Sequence, residues 1–180
     1  FGALSHNAIL ALNGGAKKGG FFHTTGEGGV SSYHTQPGGD LVWQVGTGYF
    51  GCRGQDGQFN AERFVEMAQS ENIKMIELKL SQGAKPAHGG ILPKAKITAE
   101  IAAIRGVGMD KDIISPPGHS AFEGPVGMMK FVAQLRALSG GKPVGLKLCV
   151  GLKSEFEELC FAMKTTGVVP DFITVDGGEG

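Results

Sequence analysis

The fold of this chain is decided by residues 73–98, which read IKMIELKLSQGAKPAHGGILPKAKIT. The first part, Ile73 to Leu80, is an apolar run with the length of a β-strand. The second part, Leu80 to Thr98, has neither a helical nor an alternating hydrophobic period, and loops this long in compact domains are usually functional. It carries lysines and glycines but no acidic residue, so it is suited to attract an anion and to let backbone approach it closely. The stretch therefore predicts an anion-binding loop at the end of a strand, where α/β enzymes place their active sites.

Length and composition favour one globular domain. The chain has 180 residues and 41% hydrophobic residues, which is enough for a substantial core. Its 17 basic and 17 acidic side chains cancel, whereas proteins that bind nucleic acid or membrane surfaces normally have a basic excess, so neither partner is expected. The 31 glycines are scattered through mixed sequence, which indicates a turn-rich α/β architecture.

The three cysteines do not predict a disulfide framework or a zinc site. They are widely spaced and form no CxxC pair. Cys149 and Cys160 lie in apolar runs, which predicts buried, inert thiols. The chain has no apolar run of membrane-spanning length and no signal-peptide pattern, so we expect a cytoplasmic protein.

Strands and helices are predicted to alternate along the chain. The predicted strands are the strand end at 1–4 and the segments 41–45, 73–80, 113–114, 143–150 and 172–175. The predicted helices run from Ser5 to about Leu12, from Asn60, from Thr98 to Gly106, from 125 to 138, and from Ser154. Alternation of this kind implies parallel βα units. Because a (β/α)8 TIM barrel needs eight strands and about 250 residues, we expect an incomplete portion of such a barrel.

Two lysines are the strongest candidates for ligand contacts. Lys79 and Lys147 each interrupt an apolar, strand-like run, where a lysine is costly to bury unless it is paired or faces a polar cavity. For Lys147 this favours a ligand role. For Lys79 a ligand role and a structural role remain equally open.

Other polar residues have two interpretations each. Glu27, in the turn TTGEGG, is either a solvated turn residue or a functional acid. His88 and His119 lie in loops at strand ends and are either proton donors or loop residues. The remaining histidines show no metal-ligand spacing, so no metal site is predicted. The segment GTGYFG at 46–51 matches GxGxxG, but CRGQDGQ follows instead of a helix, so a tight turn is favoured over a dinucleotide site.

Seven motifs occur in an order that is similar to a known family. They are FGALS at the start, TTGEGG, QVGTGYFG, LKLSQGAKPAHGGILP, ISPPGHS, VGLKLC and VDGGEG. This set resembles the FMN-binding synthase domain of glutamate synthase, particularly its shorter bacterial and archaeal forms. The element QGAKP-x-x-GG is the most distinctive. The resemblance implies that residues 1–180 are a single FMN-binding barrel domain, truncated at both ends.

The resemblance also implies an activity. In that family, ammonia and 2-oxoglutarate give 2-iminoglutarate, which takes a hydride from reduced FMN and becomes L-glutamate. We therefore expect an oxidoreductase of amino-acid biosynthesis and nitrogen metabolism that acts on CH–NH2 groups. The charge agrees, because residues 74–96 hold five lysines and only one acid, Glu77, and both FMN and a dicarboxylate are anions.

The expected cofactor contacts follow from the matched motifs. Gly2 and Ala3 match the opening turn whose backbone lies against the flavin. Gln82 and Lys147 match residues at the polar edge of the flavin ring, where a lysine stabilises the reduced anion. The start of the glycine-rich phosphate cup is matched by Gly177 and Gly178.

The expected catalytic residues are Lys85, Glu27 and His88. Lys85 matches the lysine that pairs with a substrate carboxylate, Glu27 matches the acid of the substrate loop, and His88 is a candidate proton donor. The partners implied are 2-oxoglutarate or a related 2-oxo acid, ammonia, and glutaminase and electron-donor domains or subunits. An iron–sulfur cluster would need ligands from elsewhere in the parent protein, because the three-cysteine motif does not occur in this stretch.

Four positions depart from the family pattern. The common loop reads KPGEGGQLPG, whereas this chain has Ala87, His88 and Ile91, and Thr24 stands where asparagine is usual. Isoleucine in place of glutamine removes hydrogen-bonding groups from a candidate substrate contact. The alternatives are therefore a flavin barrel acting on another imine or an N-substituted glutamate, a non-redox phosphate-binding barrel such as an aldolase or isomerase that uses Lys147, and a silent scaffold subunit.

Overall fold

The computed structural model of the chain describes residues 1–85 and 89–178. The helices are α1 His6–Gly19, α2 Ser32–Thr35, α3 Ala61–Ala68, α4 Ala99–Arg105, α5 Gly124–Leu138 and α6 Lys153–Thr166. The strands are β1 His23–Thr24, β2 Leu41–Val45, β3 Ile73–Lys79, β4 Ile91–Leu92, β5 Ile113–Ile114, β6 Val144–Leu148 and β7 Ile173–Val175. A 3-10 turn spans Lys94–Lys96. None of the helices in these residues is both long and apolar enough to cross a membrane.

Five parallel strands form the main sheet, in the order β1-β2-β3-β6-β7. The predicted α/β class with parallel strands is therefore confirmed. The sheet curls like part of a barrel, whereas the closed eight-stranded barrel stays a prediction. Strands β4 and β5 form a separate antiparallel pair.

The two faces of this sheet differ in chemistry, because successive side chains of a strand point to opposite faces. One face, the outer face, packs apolar side chains such as Trp43, Leu78 and Leu146 into the main core with helix residues such as Phe64 and Leu135. The rings of Trp43 and Phe64 stack with centroids 5.1 Å apart. The opposite face, the inner face, carries Gln44, Glu77, Lys79, Lys147 and Thr174.

Three predicted helix starts are confirmed by their capping bonds. The side chains of Ser5, Asn60 and Thr98 each accept a backbone N–H of the first turn, at 3.3, 2.8 and 3.2 Å. Gly106 ends α4 in the left-handed conformation, with φ of 67°, as its position predicted. These local signals depend only on neighbouring residues, which is why sequence reasoning finds them.

Helix α1 continues to Gly19, although its end was expected near Leu12. The extension runs through Asn13, which is fully buried and bonds to the backbone of Gly39 through both side-chain atoms. This tertiary contact outweighs the low helix propensity of the glycine pair that follows Asn13.

Several other predictions were wrong. Residues 1–4 form no strand, and the edge of the sheet is instead β1, which was not predicted. The predicted strand at 113–114 pairs with β4 rather than joining the parallel sheet. Cys160 is exposed and Cys149 is only partly buried. On α6 the core-facing positions are Leu159 and Ala162, so Cys160 points away from the core.

Candidate active site

The polar residues of the inner face lie in two layers along the parallel strands. In the lower layer Gln44, Glu77 and Gly145 are register partners on β2, β3 and β6. In the upper layer Lys79 and Lys147 are partners on β3 and β6, and Thr174 of β7 is the next partner. The upper layer is nearer the carboxyl ends of the strands, where ligands bind in parallel α/β proteins.

Lys79 is held by two side chains from different segments. Its ammonium group donates to Glu27 Oε2 at 3.0 Å and to Gln82 Oε1 at 2.6 Å. Its side chain is 11% exposed, and that of Glu27 is 30% exposed. Pairing is one of the two conditions under which a lysine can lie inside this apolar run, and Lys79 meets it.

Lys85 joins the same group of residues. A small polar pocket is lined by Glu27, Lys79, Gln82 and Lys85, and the backbone of Gly89 and Gly90 contributes to its wall. Three of the predicted site residues, Glu27, Gln82 and Lys85, thus come together. His88, the third predicted catalytic residue, lies outside the described residues.

Two glycines make room for the Glu27 carboxylate. A Cβ atom at Gly46 would lie 3.0 Å from Glu27 Oε2, and one at Gly90 would lie 3.2 Å from Glu27 Oε1. Both distances are shorter than an ordinary van der Waals contact. Larger residues at these positions would push Glu27 away from Lys79.

Lys147 lies beside the pocket on the neighbouring strand. Its ammonium group is 3.6 Å from Asp176 Oδ1, and its side chain is 23% exposed. The other oxygen of Asp176 accepts the N–H of Gly83 at 3.1 Å. Lys147 is therefore paired, but more loosely than Lys79, and the ligand role that its sequence position favours stays a prediction.

The predicted phosphate-cup residues lie next to the loop after β3. A side chain at Gly83 would overlap the carbonyl of Gly177 and approach Gly178. The structure thus brings Gln82, Lys147 and these two glycines together at the carboxyl ends of the strands. Their contacts with a cofactor stay predictions.

The opening turn lies against the loop that carries Glu27. The guanidinium of Arg105 donates to the Phe1 carbonyl at 2.9 and 3.2 Å and flanks Gly2, whose φ is 106°. Burial lowers the pKa of Arg105, and the negative charge of Glu27 opposes part of this shift. Ala3 is exposed.

His119 connects the loop after β5 to the end of β3 by hydrogen bonds. Its Nε2 is 2.7 Å from the Lys79 carbonyl, and its Nδ1 is 3.1 Å from the hydroxyl of Tyr49. The same hydroxyl accepts the N–H of Ala121 at 3.1 Å. Burial lowers the pKa of His119, so a neutral ring with its proton on Nε2 satisfies every contact. Both nitrogens are occupied, which favours the structural interpretation over that of a proton donor.

The segment GTGYFG forms the tight turn that was predicted. The N–H of Tyr49 donates to the Gly46 carbonyl at 3.0 Å, and Tyr49 has a positive φ of 51°. No helix opens there, because the next one, α3, begins at Ala61. The dinucleotide interpretation of this segment is excluded by that arrangement.

Sequence reasoning missed four polar residues of the inner face. Gln44 and Thr174 each donate to the carboxylate of Glu77 at 2.6 Å, and Asp176 pairs with Lys147. Alternation along β3 could have placed Glu77 on the face of Lys79. The pairing across strands could not have been read, because it depends on the sheet order. Among the described residues, no group of three or more His, Cys, Asp or Glu side chains could hold a metal ion.

Comparison with known proteins gives the family. The family described as "Conserved region in glutamate synthase" matches residues 1–180. The chain belongs to the glutamate synthase family. It is 44% identical over 181 residues to a glutamate synthase large subunit-like protein, YerD, of Bacillus subtilis, a match that covers all of this chain and 34% of that protein.

Two further relatives are named as synthases. The archaeal glutamate synthase [NADPH] of Methanocaldococcus jannaschii is 35% identical over 149 residues, which cover 82% of this chain and 27% of that protein. The archaeal-type glutamate synthase [NADPH] of Thermotoga maritima is 29% identical over 181 residues, which cover 100% and 32%. The chain thus spans about a third of the length of these relatives.

Proposed function

We propose that the protein is an FMN-dependent oxidoreductase of the glutamate synthase type, and that this chain is part of its (β/α)8 barrel. Its proposed reaction is the reduction of 2-iminoglutarate, formed from 2-oxoglutarate and ammonia, to L-glutamate. The observation that carries the proposal is the pocket in which Glu27, Lys79, Gln82 and Lys85 meet at the carboxyl ends of parallel strands. Membership of the family supports the reaction class.

The pocket presents charges of both signs, which suits a substrate with carboxylates and a nitrogen. Lys85 would pair with a substrate carboxylate, since it lines the pocket and no ion pair of the described residues includes it. Glu27 would accept a hydrogen bond from the substrate nitrogen while it holds Lys79 in place. Gln82 offers its amide at the boundary between substrate and cofactor.

The residues at the carboxyl ends of the strands fit FMN. Lys147 supplies a loosely paired cation on the inner face, and Gly83 lies so close to the Gly177 carbonyl that a side chain at position 83 would overlap it. We propose that Lys147 and Gln82 bind the polar edge of the ring, that Gly2 and Ala3 lie along it, and that Gly177 and Gly178 offer backbone amides to the phosphate. When bound and reduced, FMN supplies the hydride.

One observation favours a second candidate substrate. Ile91, which replaces the family glutamine, is 64% exposed, and its register partner Ile114 is 67% exposed. Ile91 directly follows Gly89 and Gly90, which line the pocket. We propose that this exposed apolar pair, next in the chain to the pocket-lining Gly90, would contact an apolar substituent, so an N-substituted glutamate or another imine is the second candidate.

The remaining partners are proposed from the family. Two relatives carry NADPH in their names, which supports an electron supply from NADPH through another domain or subunit. A glutaminase partner would supply ammonia. An iron–sulfur cluster would take its ligands from outside the described residues.

Flavin absorbance of the purified full-length protein tests the proposal. We expect a yellow protein with stoichiometric FMN. After anaerobic photoreduction, 2-oxoglutarate with ammonia should reoxidise the flavin, and 2-oxoglutarate without ammonia is the control. Faster reoxidation by an N-substituted imine would select the second candidate. A protein that stays colourless with added FMN would contradict both and favour the non-redox barrel or the scaffold subunit.

A further inference from the structure

A chain of hydrogen bonds crosses the inner face below the two lysines, and Glu77 is its centre. Gln44 donates through Nε2 to one carboxylate oxygen, and Thr174 donates through Oγ1 to the other, both at 2.6 Å. Gly145, the register partner of Glu77 on β6, leaves room for the ring of Phe172, which a Cβ atom there would overlap. Glu77 itself is 3% exposed.

The hydrogen bonds around Glu77 suit its ionised form. Each of its oxygens accepts a bond from a neutral donor, and an ionised carboxylate is a pure acceptor. No ion pair formed within residues 1–85 and 89–178 includes Glu77. A buried carboxylate without a contacting cation is costly, and apolar residues often replace buried charges without loss of stability. Stability alone therefore does not account for this carboxylate.

Glu77 lies in the lower layer of the inner face, and both lysines lie in the upper layer. Lys79 follows it by two residues on β3, and Lys147 follows its register partner Gly145 by two residues on β6. Two residues of a strand span about 7 Å, a separation at which charges in a protein interior interact without contact.

The other charged groups around the lysines lie at the upper layer. Glu27 contacts Lys79, Asp176 pairs with Lys147, and Lys85 lines the pocket beside Glu27. Each of these acids is more exposed than Glu77. Glu77 is thus the fixed, buried negative charge of the inner face.

We propose that Glu77 tunes the electrostatics of the active site by offsetting part of the positive charge of Lys79 and Lys147. The inference rests on the proposed function, since it concerns the flavin that Lys147 would contact. A fixed negative charge below the cofactor opposes the negative charge that reduction adds. The reduced cofactor then gives up its hydride more readily.

Glu77→Gln in the full-length FMN-loaded protein is the test. Glutamine keeps the shape, and the Gln44 amide and the Thr174 hydroxyl can turn to satisfy it. We expect the redox equilibrium of the bound flavin with a reference dye to shift about tenfold toward the reduced form. The matched control is Thr174→Val, which removes a hydrogen bond from the same carboxylate but leaves its charge. It should lower the melting temperature and leave the redox equilibrium within about twofold.

An unchanged equilibrium in Glu77→Gln, or a shift toward oxidised flavin, would overturn the inference. If Glu77→Gln does not fold, the triple variant Gln44→Leu/Glu77→Leu/Thr174→Val removes the charge together with its donors, and the same criterion applies. A wild-type protein that binds no FMN would overturn the proposed function and this inference with it. Flavin binding with an unmoved equilibrium would overturn the inference alone.

Discussion

On β2, β3 and β6, successive side chains lie in two different environments, the outer face and the inner face of the sheet. The outer face buries Trp43, Leu78 and Leu146 against helices, and these side chains need only complementary shape. The inner face holds the buried Glu77 and the partly buried Lys79, and each of them has polar partners from other segments. The outer face therefore maintains the fold, whereas the inner face keeps charges that a purely structural sheet would not need.

The largest expected effect is a loss of stability when the packing of the outer face is disrupted. Phe64→Ala removes a fully buried ring that stacks on Trp43, and we expect the free energy of unfolding to fall by about 3–5 kcal/mol. Urea denaturation followed by circular dichroism measures it. Phe64→Leu, the control, should cost clearly less. A change below about 1 kcal/mol in Phe64→Ala would show that the core does not depend on this contact.

The next effect concerns the inner face and the cofactor. Lys147→Ala is expected to weaken FMN binding about tenfold to a hundredfold, because losing a charged hydrogen-bond partner costs about 1.5–3 kcal/mol. It should also make the flavin harder to reduce. Fluorescence titration of the apoprotein with FMN measures the affinity. Lys153→Ala, at a lysine whose side chain is 89% exposed on α6, is the control. Equal affinities in the two variants would remove Lys147 from the cofactor site.

A smaller effect separates substrate from cofactor. Lys85→Met is expected to raise the KM for 2-oxoglutarate by up to about tenfold, because Lys85 is exposed and solvent screens its charge. FMN affinity should not change. The exposed Lys94 of the same loop provides the control variant Lys94→Met. If Lys85→Met lowers FMN affinity instead, the assignment of this lysine to the substrate is wrong.

The smallest effect is a pH dependence at the edge of the inner face. Burial holds the pKa of His119 below its ordinary value of 6.5, so the unfolded chain binds the proton more readily than the folded one. The stability that His119 contributes is then present above about pH 6.5 and is lost as pH falls toward the folded pKa, by at most about 1.4 kcal/mol per pH unit.

Urea midpoints between pH 5 and 7.5 measure this dependence. In His119→Gln the part of the pH dependence that is due to this ring should disappear. Lys130→Gln, an exposed substitution on α5, should keep the wild-type dependence. Identical pH profiles for wild type and His119→Gln would contradict the assignment.

The sequence was sufficient to predict features that depend only on neighbouring residues. The caps at Ser5, Asn60 and Thr98 each use a bond within one turn. Lys79 and Lys147 were singled out because each places a charge in an apolar strand. Both form ion pairs in the structure, while the ligand role favoured for Lys147 stays a prediction.

The sequence was insufficient to predict contacts between residues that are far apart in the chain. Glu77 bonds to residues 33 and 97 positions away in the chain, and these partners are known only once β2 and β7 have their places in the sheet. Asn13 extends α1 through a contact with Gly39, 26 positions away. The two residues at 113–114 looked like any short strand, and only their antiparallel pairing with β4 excludes them from the main sheet.

The central claim is that the inner face supports reduction of an imine to glutamate. The most direct measurement is one anaerobic turnover of the photoreduced full-length protein with 2-oxoglutarate and 15N-labelled ammonia, with product detected by mass spectrometry. We expect one labelled glutamate for each flavin reoxidised. Reoxidised flavin without labelled glutamate, or flavin that stays reduced, would contradict it.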